Sequence, residues 1–208
     1  MPRKIRRVRA ACNYYLVDAN FLVNKYLRAS KITDAREQDR IRKSQAWWQE
    51  IDSQVASDMA KVYISDLCIA EAFKTLAKKN YEDKIFKYPV DYKLAKDRLR
   101  KDIHLPIAEA RKQNRTIRYH DIDTSRDVVI GVDRFFELAN KLKVNVSIVD
   151  LLILATAKYL TDFYGFSDDN LFVVTQDSDL YKLARKIPDL PYTFNPLRPG
   201  DFPDKVFV

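Results

Sequence analysis

The fold class follows from the stretch Tyr14-Tyr15-Leu16-Val17-Asp18-Ala19-Asn20. Its first four residues are aromatic or aliphatic, which is typical of a short buried strand, and a helical stretch follows from about Phe21 to Arg28. Asp18 stands at the junction between the two elements. A strand followed by an acidic turn and a helix is typical of the first β-α unit of an α/β fold.

The same alternation of apolar runs and amphipathic stretches continues along the chain. It is typical of strands that feed helices, and so of a mainly parallel sheet covered on both faces. We predict a three-layer α/β/α sandwich with a sheet of four or five strands. The further strands are expected at Val62-Tyr63-Ile64, around Arg118-Tyr119, at Leu171-Phe172-Val173-Val174 and, as an edge strand, near Tyr192-Thr193-Phe194.

Helical periodicity fills the intervals between these strands. A long helix from Asp34 to Met59 has one apolar face, on which Trp48 is a packing residue like its neighbour Trp47. A helix is predicted after a cap at Ser65 or Asp66. Another is predicted over the basic stretch, where Tyr92, Ala95, Leu99 and Ile103 lie on one face and Pro106 introduces a bend. Three further helices are predicted from Val128 to Leu142, after Ser147, and from Asp179 to Lys186.

Composition bounds the class of protein. With 208 residues the chain predicts one domain, and 47% hydrophobic against 32% charged residues predicts a folded one. A net charge of +8 favours polyanionic partners such as nucleic acid, although a solvated basic surface would give the same total. Cys12 and Cys68 lack metal-ligand spacing and indicate reduced, packed thiols. We therefore expect a cytoplasmic protein that does not insert in a membrane.

Four carboxylates stand where the chemistry of such a fold is expected. In an open parallel sheet, ligand sites assemble at the carboxyl ends of the strands. The acids at strand ends, or on the helices that follow strands, are Asp18, Glu71, Asp150 and Asp177. We predict that they converge on one pocket.

Each of these acids also has a plain local interpretation. Asp18 and Asp177 could be helix N-caps, and Asp150 could form a capping box with Ser147. Glu71 could form a surface pair with Lys74 three residues on. The cap and the site roles do not exclude each other, because a helix N-terminus favours an ionised carboxylate.

Convergent carboxylates repel each other unless cations neutralise them. Hard oxygen ligands of this kind select Mg²⁺ or Mn²⁺ over softer metals. Such a site suits hydrolysis of phosphodiesters, since a divalent cation can both activate water and neutralise phosphate.

The stretches 16–22, 65–76, 147–157 and 174–180 together resemble the PIN-domain family, which includes the VapC-type toxin ribonucleases. The resemblance implies that Asp18, Glu71, Asp150 and Asp177 are the catalytic, metal-binding acids of a ribonuclease, with Asp179 as an accessory ligand. It also implies supporting roles for Asn20 and Thr175. As a toxin, such a protein would have an acidic antitoxin partner, and a homodimer would be plausible.

Compared with compact members of that family, the single domain of residues 1–208 has helical insertions at about 31–60 and 80–116. The second insertion is basic, and its cations are candidate RNA contacts through salt-sensitive phosphate neutralisation. Those candidates are Lys93, Lys96, Arg100, Arg111 and Arg115. The alternative is that they form the solvated faces of charged helices.

The sequence is compatible with three functions. The first is an endoribonuclease that depends on Mg²⁺ or Mn²⁺, and the second is a PIN-like module that binds RNA without cleaving it. The third is another α/β phosphate enzyme, but Asp18-Ala19-Asn20 lacks the D-x-D pair of a haloacid-dehalogenase-like phosphatase. A receiver domain would need an acidic pair after its first strand, and that pair is absent from the sequence.

Overall fold

A computed structural model describes residues 12–104, 109, 112, 119–166 and 170–200. Its centre is one five-stranded sheet in the order β3-β2-β1-β4-β5, and every neighbouring pair of strands is parallel. The strands are β1 (Asn13–Val17), β2 (Ala60–Ser65), β3 (Tyr119–Ile122), β4 (Leu171–Val174) and β5 (Tyr192–Phe194).

Seven α-helices connect these strands in the described part of the chain, with a 3₁₀ turn at Ala29–Lys31. They are α1 (Ala19–Tyr26), α2 (Ala35–Ala56), α3 (Asp66–Tyr81), α4 (Pro89–Ile103), α5 (Arg126–Leu142), α6 (Ile148–Tyr164) and α7 (Ser178–Ala184).

The helices form two layers, one on each face of the sheet. Side chains of a strand alternate between faces, and β1 shows this directly. Tyr15 donates a hydrogen bond to Gln54 of α2, whereas the ring of Tyr14 packs on Phe166, just after α6. Helix α1 packs against α2, α3 and α4, while α5 packs on α6. The predicted α/β/α sandwich is confirmed.

The connection from β3 to β4 carries the chain from one helical layer to the other. Strand order therefore reverses between the central strand β1 and its neighbour β4. At such a reversal the loops after the two strands diverge to opposite faces and leave a crevice at the carboxyl ends. Asp18 follows β1 and Thr175 follows β4, so the fold brings these two residues to the same crevice.

The core confirms the packing roles of both tryptophans. Trp48 is 2% exposed, stacks on Phe21 with ring centroids 4.6 Å apart, and donates from Nε1 to the Phe21 carbonyl at 2.9 Å. Trp47 is also buried and lies 5.4 Å from the ring of Phe194. Helix α2 thus packs directly on α1, the helix that Asp18 begins.

Element boundaries differ from the predicted ones for local reasons. Helix α1 begins at Ala19 rather than Phe21, because Asp18 caps it. Helix α2 ends at Ala56 instead of Met59, since Asp58 adopts a positive φ of 57° that a helix cannot contain. The edge strand near Tyr192 is present as β5, and the predicted bend at Pro106 lies outside the described residues. No described helix has the length and apolarity to cross a bilayer.

Replacing Trp48 with Ala should lower the free energy of unfolding by about 3–5 kcal/mol, because a large cavity would open between α1 and α2. Urea denaturation would measure this loss. Val90→Ala is the control, since Val90 is 56% exposed, and it should change stability by less than about 0.5 kcal/mol. Equal stabilities of the two variants would contradict the packing role of Trp48.

Candidate active site

Asp18 is a buried carboxylate held by three donors. It is 2% exposed, and its Oδ1 accepts the Phe21 amide at 2.6 Å as the N-cap of α1. Its Oδ2 accepts the Gln176 amide at 2.9 Å and a short hydrogen bond from the Thr175 hydroxyl. Burial nevertheless raises the pKa of Asp18 to about 6, because three hydrogen bonds do not replace the lost hydration.

The loop after β4 connects Asp18 to Asp177. The Thr175 hydroxyl, fully buried, donates to Asp18 and accepts the Asp177 amide at 2.9 Å. Asp177 caps α7, with its Oδ1 accepting the amides of Asp179 and Leu180 at 2.7 Å each. The predicted supporting residue Thr175 thus contacts one acid through its side chain and the backbone of another.

Asp150 lies in the first turn of α6. It forms the predicted capping box: the Ser147 amide and hydroxyl donate to its Oδ2 at 3.0 and 2.7 Å, and its own amide donates to Ser147 Oγ at 3.2 Å. Burial raises the pKa of Asp150 despite these bonds, and the charge of Asp177 raises it further.

Glu71 lies in the middle of α3 and is half-buried. Its pKa is raised by burial first and by the charge of Asp150 second, while Lys74 opposes the shift. In the part of the chain that the structure describes, no ion pair joins Glu71 to Lys74 and no protein donor contacts its carboxylate. Lys74 therefore acts on Glu71 only through its charge at a distance, and the surface ion pair considered from the sequence is not formed between them.

Asp150 is the common electrostatic neighbour of the cluster. Its charge contributes to the raised pKa of both Asp18 and Glu71, and Asp177 acts on Asp150 in the same sense. The buried Cys68 thiol is affected by the same charges: burial raises its pKa to about 12, and the charges of Asp18, Glu71 and Asp150 add to the rise.

The cluster is not a preassembled cation cage. Within the described residues, no group of three Asp, Glu, His or Cys side chains is arranged to hold a metal ion directly. The chemistry of the donors still fits a hydrated ion, because Mg²⁺ keeps several waters and uses one or two carboxylates. No described protein group donates to Oδ1 of Asp150, Oδ2 of Asp177 or either oxygen of Glu71, so these atoms are available as ligands.

Other predicted site residues lie outside this group. Asp179 forms an ion pair with Lys182 at 2.8 Å, and Asn20 is exposed. Lys93 is exposed on α4, whereas Lys96 and Arg100 line a groove on that helix. Arg111 and Arg115 lie outside the described residues.

Comparison with known proteins supports the fold through structure alone. No family model and no curated protein matches the chain. A chain of the FitAcB structure from Neisseria gonorrhoeae matches with a TM-score of 0.50 and 16% identity, over 88% of this chain and 97% of that one. A chain of VapBC2 from Rickettsia felis, bound to a DNA fragment from their promoter, matches with a TM-score of 0.49 and 14% identity, over 88% and 98%.

The fold is PIN-like. The five-stranded parallel sheet between two helical layers is the architecture that the sequence resemblance implied. At these identities the likeness concerns the fold, so the roles of the acids in this PIN-like chain rest on their own geometry.

A buried polar network behind the acids escaped the sequence analysis. Gln176 is 5% exposed; its side-chain oxygen accepts from Asn24 Nδ2 at 2.7 Å, and its Nε2 donates a short hydrogen bond to Ser44. Since the Gln176 amide donates to Asp18, this network ties the loop after β4 to α1 and α2. Gln between Thr175 and Asp177 gives no sequence signal that distinguishes it from a solvated loop residue.

Thr175→Val should lower the free energy of unfolding by about 1–3 kcal/mol, because a buried carboxylate oxygen and the Asp177 amide would both lose a partner. Thr175→Ser keeps the hydroxyl and should retain most of the stability. Thr156→Val is the matched control: its buried hydroxyl donates only to the Leu152 carbonyl within α6, at 2.7 Å. Chemical denaturation that ranks the Thr156 variant as the less stable one would contradict the role of Thr175.

Proposed function

We propose that this protein is an endoribonuclease that depends on Mg²⁺ or Mn²⁺. The observation that carries the proposal is the electrostatic effect centred on Asp150: its charge raises the pKa of Asp18, the cap of α1, and of Glu71 on α3, and the charge of Asp177, the cap of α7, raises its own. Folding brings these charges together against their repulsion. A bound divalent cation would relieve that repulsion, which is the usual reason for such a cluster at the carboxyl ends of a sheet.

The residues divide into those that would hold the ion and those that support them. Asp150, Asp177 and Glu71 have oxygens without protein donors and would be the ligands. Asp18 lies deeper, with both oxygens hydrogen-bonded, and would add negative charge and fix the loop through Thr175. A bound ion supplies Lewis acidity and lowers the pKa of its water toward neutrality. Asp179 stays an accessory ligand in this proposal.

RNA is proposed as the substrate because of the sequence resemblance and the net charge of +8. A second function, RNA binding without cleavage, is favoured by one specific observation. Asp18, Asp150 and Asp177 all act as helix caps, so each has a structural role without a metal. Dependence on a divalent cation distinguishes the two functions, because RNA binding without cleavage requires none.

A protein partner belongs to the proposal as well. The resemblance implies an acidic antitoxin that places an Arg or Lys among the carboxylates. Electrostatically, such a cation would do what a metal ion does, since it would lower the raised pKa values of Asp18, Glu71 and Asp150.

Glu71→Gln and Asp150→Asn should each reduce the rate of RNA cleavage by at least about 100-fold, since a lost ligand removes several kcal/mol of transition-state stabilisation. Asp150→Asn keeps an oxygen that can accept from the Ser147 amide, so the capping box persists. Cleavage of a fluorescent RNA with Mn²⁺, Mg²⁺ or EDTA measures the effect. Asp133→Asn, an exposed acid on α5, is the control and should cleave normally. Wild-type rates in the Asp150 variant would refute its assignment.

Mn²⁺ should raise the thermal unfolding midpoint of the wild type. At a concentration about 100 times the dissociation constant, binding contributes about 2.7 kcal/mol, which corresponds to roughly 5–10 °C for a chain of this size. EDTA should reverse the rise. The Asp150→Asn protein should show a much smaller one because it lacks a ligand, whereas an equal rise in both proteins would place the ion elsewhere.

A further inference from the structure

A groove of about 750 Å³ lies between α3 and α4, on the side of α3 away from Glu71. Its α3 wall is formed by Ile69, Phe73 and Ala77, which recur every four residues. These positions are rotated by more than a quarter turn from Glu71, and the exposed residues Ala70 and Lys74 lie between the two faces. The groove and the carboxylates therefore flank the same helix.

The α4 wall has a different chemistry. Tyr92, Lys96, Arg100 and His104 follow one another at intervals of four residues and all line the groove. Neither Lys96 nor Arg100 has a carboxylate within ion-pair distance in the described part of the chain. Lys96 instead lies 6.0 Å from the centre of the Tyr92 ring. The wall thus combines two available cations with aromatic rings.

The groove also reaches the end of the sheet where the acids lie. Asp121, on β3, is among its lining residues and is followed by Ile122, the last residue of that strand. Because all five strands are parallel, this is the end at which Asp18 follows β1 and Thr175 follows β4. A chain lying in the groove could continue over small Ala70 and cationic Lys74 to Glu71.

We propose that the groove between α3 and α4 binds single-stranded RNA and leads it to the carboxylates. The inference rests on the proposed function, and it specifies an unpaired rather than a duplex substrate. A duplex presents phosphates but keeps its bases stacked inside, so it gains little from an apolar wall. An unpaired strand presents bases to Ile69, Phe73 and Tyr92 and phosphates to Lys96 and Arg100, the combination that single-strand binding sites use.

A helix of an acidic protein partner is the competing occupant, because its carboxylates would also pair with Lys96 and Arg100. The position of the groove favours a substrate strand, since the groove reaches the end of the sheet where the acids lie and a substrate has to reach those acids.

Fluorescence anisotropy in EDTA tests the inference without cleavage. The probes are a short labelled RNA of unpaired sequence and the same RNA annealed to its complement. Unpaired RNA should bind more tightly than the duplex. Lys96→Gln with Arg100→Gln should weaken unpaired binding about tenfold and reduce the slope of log affinity against log salt by about 1.4, for two phosphate contacts.

The matched control is Arg98→Gln with Lys101→Gln, which removes the same charge from exposed positions of α4 that do not line the groove. It should leave the affinity within about twofold. Equal weakening by the two double variants, or equal affinity for both RNA forms, would overturn the inference. Displacement of the RNA by polyglutamate as effectively as by unlabelled RNA would also overturn it and would indicate an acidic protein as the occupant.

The two proposals fail in different ways. If the protein cleaves RNA with Mn²⁺ while the groove variants bind RNA normally, the groove assignment is wrong and the ribonuclease assignment stands. If the groove variants lose unpaired RNA and no metal supports cleavage, the ribonuclease assignment is wrong and the groove assignment stands.

Discussion

Burial of one negative charge, that of Asp18, organises this structure. A carboxylate removed from water is costly unless hydrogen bonds or a cation compensate it. Here the donors come from α1 and from the loop after β4, so the Asp18 carboxylate joins the central strand β1 to its neighbour β4. The compensation is incomplete, because the pKa of Asp18 still rises to about 6. A positive charge placed at this crevice would reduce the remaining cost.

The other acids increase this effect while each keeps a local structural role. Asp177 caps α7 and Asp150 completes the capping box of α6, and the hydrogen bonds that they accept use one oxygen of each carboxylate. The other oxygen stays available, so a cap can also be a ligand. The chain therefore concentrates charge with residues that it also needs for helix starts, and the same geometry would serve the proposed cation binding as well as folding.

The sheet and helices were predictable because apolar periodicity reflects burial locally. The turn at Asp18 and the capping box of Ser147 and Asp150 were predictable for the same reason, since both lie within four residues. The network of Gln176 with Ser44 was not, because only the packing of α2 over α1 buries it. Nor could the sequence separate Lys96 from Lys93, since that depends on which face α4 turns toward α3.

Anomalous X-ray diffraction from crystals soaked in MnCl₂ would show whether these acids, distant in sequence, form one cation-binding volume. We expect an anomalous peak bordered by Asp150, Asp177 and Glu71, with Asp18 behind them. A strong peak at another part of the surface, with none at this crevice, would refute this arrangement.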